Sequence, residues 1–246
     1  MDDTARIAAL EAELASLRAE MQDFSYTVSH DLRASLRHIL SYAQLVQEDA
    51  AALLPPETLG FVHTIGDSAR HMGLLMDGLM ELSRLGTVPL QPGPVPLQPL
   101  LQELVDAARQ AQHARNIQWE LPPDLPTVWA DAALLRAALS HVLDNAVKFS
   151  AHTEAAHIRI GVDAASDPAA PVRLQVADNG AGFNTALTNQ LFKPFSRLHT
   201  AKQFAGIGMG LALTRKMLRR MGGEAQADGA LGAGCTVTLT LPRAPA

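Results

Sequence analysis

Apolar residues recur near the start of the chain at Ile7, Leu10, Leu14, Leu17, Met21, Phe24 and Val28, in alternating steps of three and four. This is the heptad seam of a coiled coil. Glu11, Glu13, Arg18 and Glu20 fill the outer faces, and residues 3–52 hold neither Gly nor Pro. The stripe continues through Leu32, Leu36, Ile39, Ala43 and Val46. The steps from Phe24 to Leu36 are all fours, a stutter that locally unwinds a supercoil. A helix of about 50 residues would be roughly 75 Å long, and one apolar stripe cannot hold it without a partner. Pro55 and Pro56 end it, because proline lacks a donor and restricts its predecessor. A second helix is expected over 58–85, with Phe61, Ile65, Met72, Leu75, Leu79 and Leu82 on its inner side. The two make an antiparallel hairpin whose open groove a second copy would close into a four-helix bundle, so a homodimer is expected.

Residues 86–99 hold five prolines and two glycines, which reads as a linker. Beyond it the pattern is mixed. Helices are expected over 100–114, 131–149 (with Asp131 as its cap) and 208–221. Strands are expected over 117–121, 127–129, 158–162, 172–177 and 236–241. Strands and helices do not alternate strictly, which argues against a doubly wound parallel sheet. The organisation expected is a coiled-coil signalling helix (1–22), a helical hairpin (23–86), a linker (87–98) and an α+β domain (99–246).

Composition narrows this little. Net charge is −5 with no long basic run, which argues against a duplex-binding surface and leaves a single nucleotide open as ligand. Cys235 is the one cysteine, so an internal disulfide and a multi-cysteine zinc site are excluded, and a reducing cytoplasm fits. No apolar run is long enough to span a bilayer, and the N-terminus lacks the order of a signal peptide.

Four segments could carry chemistry. His30 lies two residues from Val28 and two from Leu32, so on a helix it is turned about 160° from each. Taken alone it reads as a solvated surface residue. Asp31 beside it could hold the ring in one tautomer and leave the other nitrogen nucleophilic. His141, Asn145 and Lys148 share one side of a helix. Alone they make an ordinary polar face, yet an amide oxygen suits magnesium and an ammonium suits phosphate. Asp178, followed by Gly180 and Gly182, stands at a strand end and reads first as a turn. Its carboxylate could also accept from an amino group while the glycines close on a flat ring. Gly206, Gly208 and Gly210 open a helix, where free amides favour phosphate; they match neither a Walker loop nor the dinucleotide fingerprint.

In this order and spacing, the segments resemble the sensor histidine kinase family of two-component systems. SHDLRASL resembles its phosphoacceptor box, LSHVLDNAVKFS its asparagine box and DNGAGF its first glycine box. LFKPFSRL resembles its phenylalanine box, GIGMGLAL its second glycine box, and GAGCTVTLTLP its closing segment. The flavour is nearest to phytochrome-like kinases. The resemblance implies a helical-hairpin dimerisation domain followed by an α+β ATP-binding sandwich of the gyrase, heat-shock ATPase and histidine kinase type. It implies ATP and Mg2+, with His30 as phosphoacceptor, Asp31 as its partner and a response regulator receiver domain as the next acceptor. Asn145 would bind magnesium, with His141 and Lys148 toward phosphate. Asp178 would take the adenine amino group between Gly180 and Gly182, and Gly206, Gly208 and Gly210 would face the phosphates. Residues 184–205 would form a mobile lid pinned by Phe192 and Phe195. An upstream sensory domain would signal through the coiled coil, so the chain reads as a piece of a longer protein or an engineered one.

Three positions depart from the family pattern. His141 replaces an asparagine, although a neutral imidazole can still hydrogen-bond phosphate. Ser35 replaces a helix-bending proline, which implies a straighter first helix. Ala34 replaces a polar residue that would orient water, which implies weak phosphatase activity toward the partner. His141 and Ser35 also keep open a non-catalytic dimeric scaffold with a degenerate ATP site. A clamp-type ATPase on the same sandwich would have no use for His30 and Asp31.

Overall fold

The computed structural model describes residues 3–163, 170–200 and 202–244. The chain divides into two units, Met1–Val88 and Pro89–Ala246.

In the first unit, α1 (Asp3–Ala50) and α2 (Pro56–Arg84) form the expected hairpin. Pro56 opens α2 at a first-turn position, where a missing N–H costs nothing and the fixed φ suits a helix. The seam between the helices is narrow. α1 buries Ser29, Leu36 and Ala43, seven residues apart, while α2 buries Gly66, Ala69, Met76 and Gly78. Leu40 packs on the cluster of Leu36, Ala69 and Met76. A Cβ on Gly66 would stand 3.9 Å from that of Ala43, so small residues let the backbones draw together. Arg33 donates to Asp77 across the seam at 2.8 Å, an exposed pair that fixes register more than it stabilises.

Much of the expected inner side of α2 is left open within one chain. Phe61, Ile65, Met72 and Leu79 remain 59%, 51%, 47% and 42% exposed, and Leu32, Ile39 and Val46 of α1 are exposed as well. The apolar surface is wider than one partner helix can cover. Leu36, Ala43, Ala69 and Met76 are buried in the hairpin seam, and Phe61, Ile65, Met72 and Leu79 stay exposed. Ile7, Leu10, Leu14, Leu17 and Met21 are likewise exposed; the side chains of Glu11, Arg18 and Phe24 lie outside the described residues.

The second unit begins where a linker was expected. Pro92–Pro96 is a strand, β1, and α3 starts at Leu97 (Leu97–Ala111). Prolines at 92, 94 and 96 alternate with Gly93 and Val95, so the donors that remain all point to one edge. That edge pairs antiparallel with β3 (Thr127–Asp131), Val95 opposite Val128. Proline is compatible with a strand that has one partner.

The main sheet has the order β2-β4-β5-β7-β6, with β2 (Gln118–Glu120), β4 (His157–Val162), β5 (Val172–Asp178), β6 (Glu224–Gly229) and β7 (Cys235–Leu241). β2 runs parallel to β4, and the other pairs are antiparallel. The sheet is therefore mixed. β6 was not foreseen: EAQADG is polar and small, and only Ala225 is buried, which suits an edge strand.

α4 (Ala132–Phe149) packs against α3, β5 and α5 (Gly210–Arg220). Leu135, Leu139, Val142 and Leu143 of α4, Leu213, Met217 and Leu218 of α5, and Ile158, Leu174 and Leu239 of the sheet are all essentially buried. Burying each such side chain is worth about 1.5–3 kcal/mol. This core fixes the angle at which α4 and α5 present their polar faces.

Candidate functional site

His30 stands on the outward face of α1. Its side chain is 67% exposed, whereas the preceding Ser29 is 3% exposed and faces the seam. His30 Nδ1 lies 3.2 Å from Asp31 Oδ1. A neutral ring with its proton on Nδ1 donates to that carboxylate.

In the second unit, α4 supplies one wall of a site. Asp131 caps it, accepting from Ala133 N at 3.0 Å and Leu134 N at 3.1 Å, while its second oxygen accepts from Gln91 N at 2.9 Å. At the far end, Arg115 donates to Val147 O at 3.0 Å and Ser150 O at 2.9 Å, satisfying carbonyls the helix leaves open. Both ends are fixed, so the half-buried His141, Asn145 and Lys148 between them have a defined place.

The second glycine segment lies across that face. A Cβ on Gly210 would stand 3.6 Å from both Asn145 Nδ2 and His141 Cβ, and one on Gly206 would stand 3.5 Å from Lys148 Nζ. The helix expected from 208 starts at Gly210, so Gly206 and Gly208 belong to the loop that precedes it. Gly208 has φ +76°, and a Cβ there would strike the Ser196 carbonyl, which excludes other residues. Lys148 Nζ lies 4.4 Å over the Phe149 ring. Burial first, and then the nearby Arg197 guanidinium, hold its ammonium below the usual lysine range. An anion placed between these two cations would relieve their repulsion. Arg197 was not singled out in the sequence; only the folded chain brings it to Lys148.

The first glycine segment leaves the end of β5. Asp178 is half-buried, and Oδ1 accepts from Gly180 N at 2.9 Å. Burial raises its carboxyl above the usual range, against opposing hydrogen bonds from the backbone of Gly180 and Cys235. Gly182, at φ +60°, packs on Ala230 O. The neighbouring Cys235 thiol is pushed up to about 12 by burial and by Asp178 and Asp228, so it is inert as a nucleophile.

The two phenylalanines of LFKPFSRL part ways. Phe192 is buried, with the Arg215 guanidinium 4.1 Å above its ring. Phe195 is 39% exposed at φ +61°, a conformation costly for a bulky residue. Its exposure does not fit the expected role of pinning the segment. Phe204 takes that place: it is buried edge-on against Phe149 at 5.1 Å.

Among the described residues no cluster of three or more His, Cys, Asp or Glu could hold a metal ion by itself. The chemistry fits a magnesium ion carried by phosphate oxygens and water with one protein carboxamide. No described helix is long and apolar enough to cross a membrane.

Two family profiles match. The His Kinase A (phospho-acceptor) domain covers residues 20–87, and the histidine kinase-, DNA gyrase B-, and HSP90-like ATPase covers residues 130–245. Cyanobacterial phytochrome A of Nostoc sp. is 29% identical over 238 residues, covering 96% of this chain and 30% of its own length. The circadian input-output histidine kinase CikA of Synechococcus elongatus is 30% identical over 228 residues, covering 89% of this chain and 30% of its own. The chain thus spans under a third of the length of these relatives. Full-length ShkA, crystallised with AMPPNP, superposes with a TM-score of 0.64 at 29% identity, over 91% of this chain and 46% of that one. The histidine kinase AdeS of Acinetobacter baumannii shares the fold with a TM-score of 0.61 at 20% identity, over 88% and 98% of the two chains.

Proposed function

The chain belongs to the sensor histidine kinase family, and from that premise we propose that it moves the ATP γ-phosphoryl group to His30. The observation that carries this reading is the glycine loop 206–210 laid across His141, Asn145 and Lys148, a surface of backbone amides and cations that suits a polyphosphate. Asp178 accepts from the adenine amino group, beside Gly180 and Gly182. Lys148 and Arg197 hold phosphate, and Gly206, Gly208 and Gly210 let the backbone approach it. Asn145 Oδ1 would hold magnesium, which would draw charge from the phosphate oxygens. His141 donates to phosphate in place of an amide.

His30 Nε2 attacks the γ-phosphorus, the bond from phosphorus to the bridging oxygen breaks, and ADP leaves. Asp31 keeps the proton on Nδ1 and stabilises the ring as positive charge develops. Positioning and electrostatics carry the rate. The phosphoryl group then passes to an aspartate of a response regulator receiver domain. The exposed stripe of Ile39, Phe61, Ile65, Met72 and Leu79 supports a second copy as partner in a four-helix bundle, and the exposed seam from Ile7 to Met21 supports a coiled coil leading from a sensory domain. Ala34 has no group to orient water, so phosphatase activity toward the phosphorylated regulator is weak.

Incubation with γ-labelled ATP and magnesium tests the reading. Acid-labile, base-stable label on wild type that is absent from His30→Gln supports the kinase. Free phosphate without protein label means a clamp-type ATPase. Neither label nor free phosphate means a scaffold with a degenerate site.

A further inference from the structure

The described residues on either side of position 201 are tied to one another. Arg197 Nη2 donates to Phe204 O at 2.7 Å. Thr200 N and Oγ1 each donate to Gln203 Oε1 at 3.0 Å, and Gln203 N and Phe204 N both return to Thr200 O at 3.1 Å. They dock on the last residue of α4. The rings of His199 and Phe149 lie 5.4 Å apart, those of His199 and Phe204 5.1 Å, and those of Phe149 and Phe204 5.1 Å, a closed triangle. His152 adds a ring 5.2 Å from Phe204 and reaches Gln203 O with Nε2 at 3.2 Å.

His199 makes one contact of another kind. Its Nε2 donates to Gly182 O at 2.9 Å, so its proton sits on Nε2. His199 therefore touches both the loop that follows Asp178 and the residue that follows Lys148. Phe149 also accepts from Ala181 N at 3.0 Å. Two residues beyond Phe204, Gly206 begins the glycine loop over Lys148.

We propose that His199 is a positioning residue for nucleotide binding, a latch that fastens Arg197, Thr200, Gln203 and Phe204 to Gly182 and Phe149 and so holds the glycine loop over α4. The proposal rests on the assignment of ATP to this site. Without the latch, these residues and the loop after them must be ordered when nucleotide binds, and that cost falls on affinity. Once nucleotide is held, Asn145 and Lys148 are where they were, so the transfer step is spared. The loss of affinity is at least about tenfold, the low end of what one hydrogen bond and two ring contacts contribute together.

The test compares wild type with His199→Ala, His199→Phe and His199→Gln, by titration with a fluorescent ATP analogue in magnesium, by kcat and KM for autophosphorylation, and by deuterium exchange without nucleotide. His199→Ala is expected to weaken analogue binding and raise KM with kcat nearly kept, and to speed exchange across 197–205. His199→Phe restores the ring and His199→Gln a donor, so each recovers part of the affinity. If His199→Ala does not fold, these two variants carry the test, each binding more weakly than wild type. Wild-type affinity and exchange in every folded variant overturns the latch while the ATP site stands. A loss in kcat at constant KM overturns it too. A wild type that binds no adenine nucleotide removes the ATP assignment itself, and the latch with it.

Discussion

Gly180 lies so close to the carbonyl of Phe149 that a Cβ at position 180 would collide with it and would stand 2.8 Å from Ser150 N. The loop after Asp178 is thus fitted to the end of the helix that carries Lys148. Gly180→Ala must push the two apart, and overpacking of this kind costs about 1–3 kcal/mol. The urea midpoint falls with an unchanged slope, and nucleotide binding weakens with it. Equal stability in wild type and variant would show that the two segments have room to spare.

Asp178 gives two pH dependences of opposite sign. Its carboxyl is raised above the usual range, chiefly by burial. A raised folded-state value means the fold favours the neutral acid, so this group's stabilisation is full below the unfolded value, about 4, and is lost as pH rises through the folded value. An adenine amino group needs the carboxylate. Acidification through that window therefore stabilises the free protein at this group while it weakens nucleotide binding. Asp178→Asn flattens both slopes, measured by denaturation and by nucleotide titration from neutral pH downward. A variant that keeps the wild-type slope in binding would place the titrating group elsewhere.

Asp131 holds three backbone donors, two in the first turn of α4 and Gln91 N beside β1. Asp131→Ala removes a helix cap worth about 0.5–2 kcal/mol and strands the amide of Gln91 as well. Asp131→Asn keeps an acceptor and loses less. Chemical denaturation reads both, and the order Ala below Asn below wild type is the expected result.

The hairpin leaves Ile65 and Met72 exposed on one face of α2. Placing glutamate at both positions buries two charges in any bundle that uses this face. Sedimentation equilibrium of wild type is expected to give a dimer, and Ile65→Glu with Met72→Glu a monomer that keeps its helicity. A dimer that survives both substitutions would put the partner on another face.

Much of this architecture is written in local patterns. The cap at Asp131 was readable because a carboxylate precedes an apolar helical run, and β5 and β7 were readable because they alternate. β1 was hidden because prolines normally signal a linker, and only the pairing with β3 shows that their spacing suits one edge. β6 was hidden because an edge strand needs no apolar face. The stripe on α2 was visible, but its division between a narrow seam and a wider exposed face depends on how closely Gly66 lets α1 approach. Of the site, His141, Asn145 and Lys148 were legible as one helical side. Arg197, His199 and Phe204 were not, because their contacts with Lys148, Gly182 and Phe149 exist only when a loop folds back on α4. Phe195 differs from expectation in its exposure and left-handed backbone, which no spacing reveals.

The proposed function requires that phosphate from ATP arrive on His30. Wild-type protein incubated with ATP and magnesium, digested at alkaline pH and mapped by mass spectrometry, tests it directly. The expected result is one phosphorylated peptide, spanning His30, that disappears in His30→Gln and in Asn145→Ala. A phosphoryl group on another residue, or a wild type that stays unmodified while binding ATP, would contradict it.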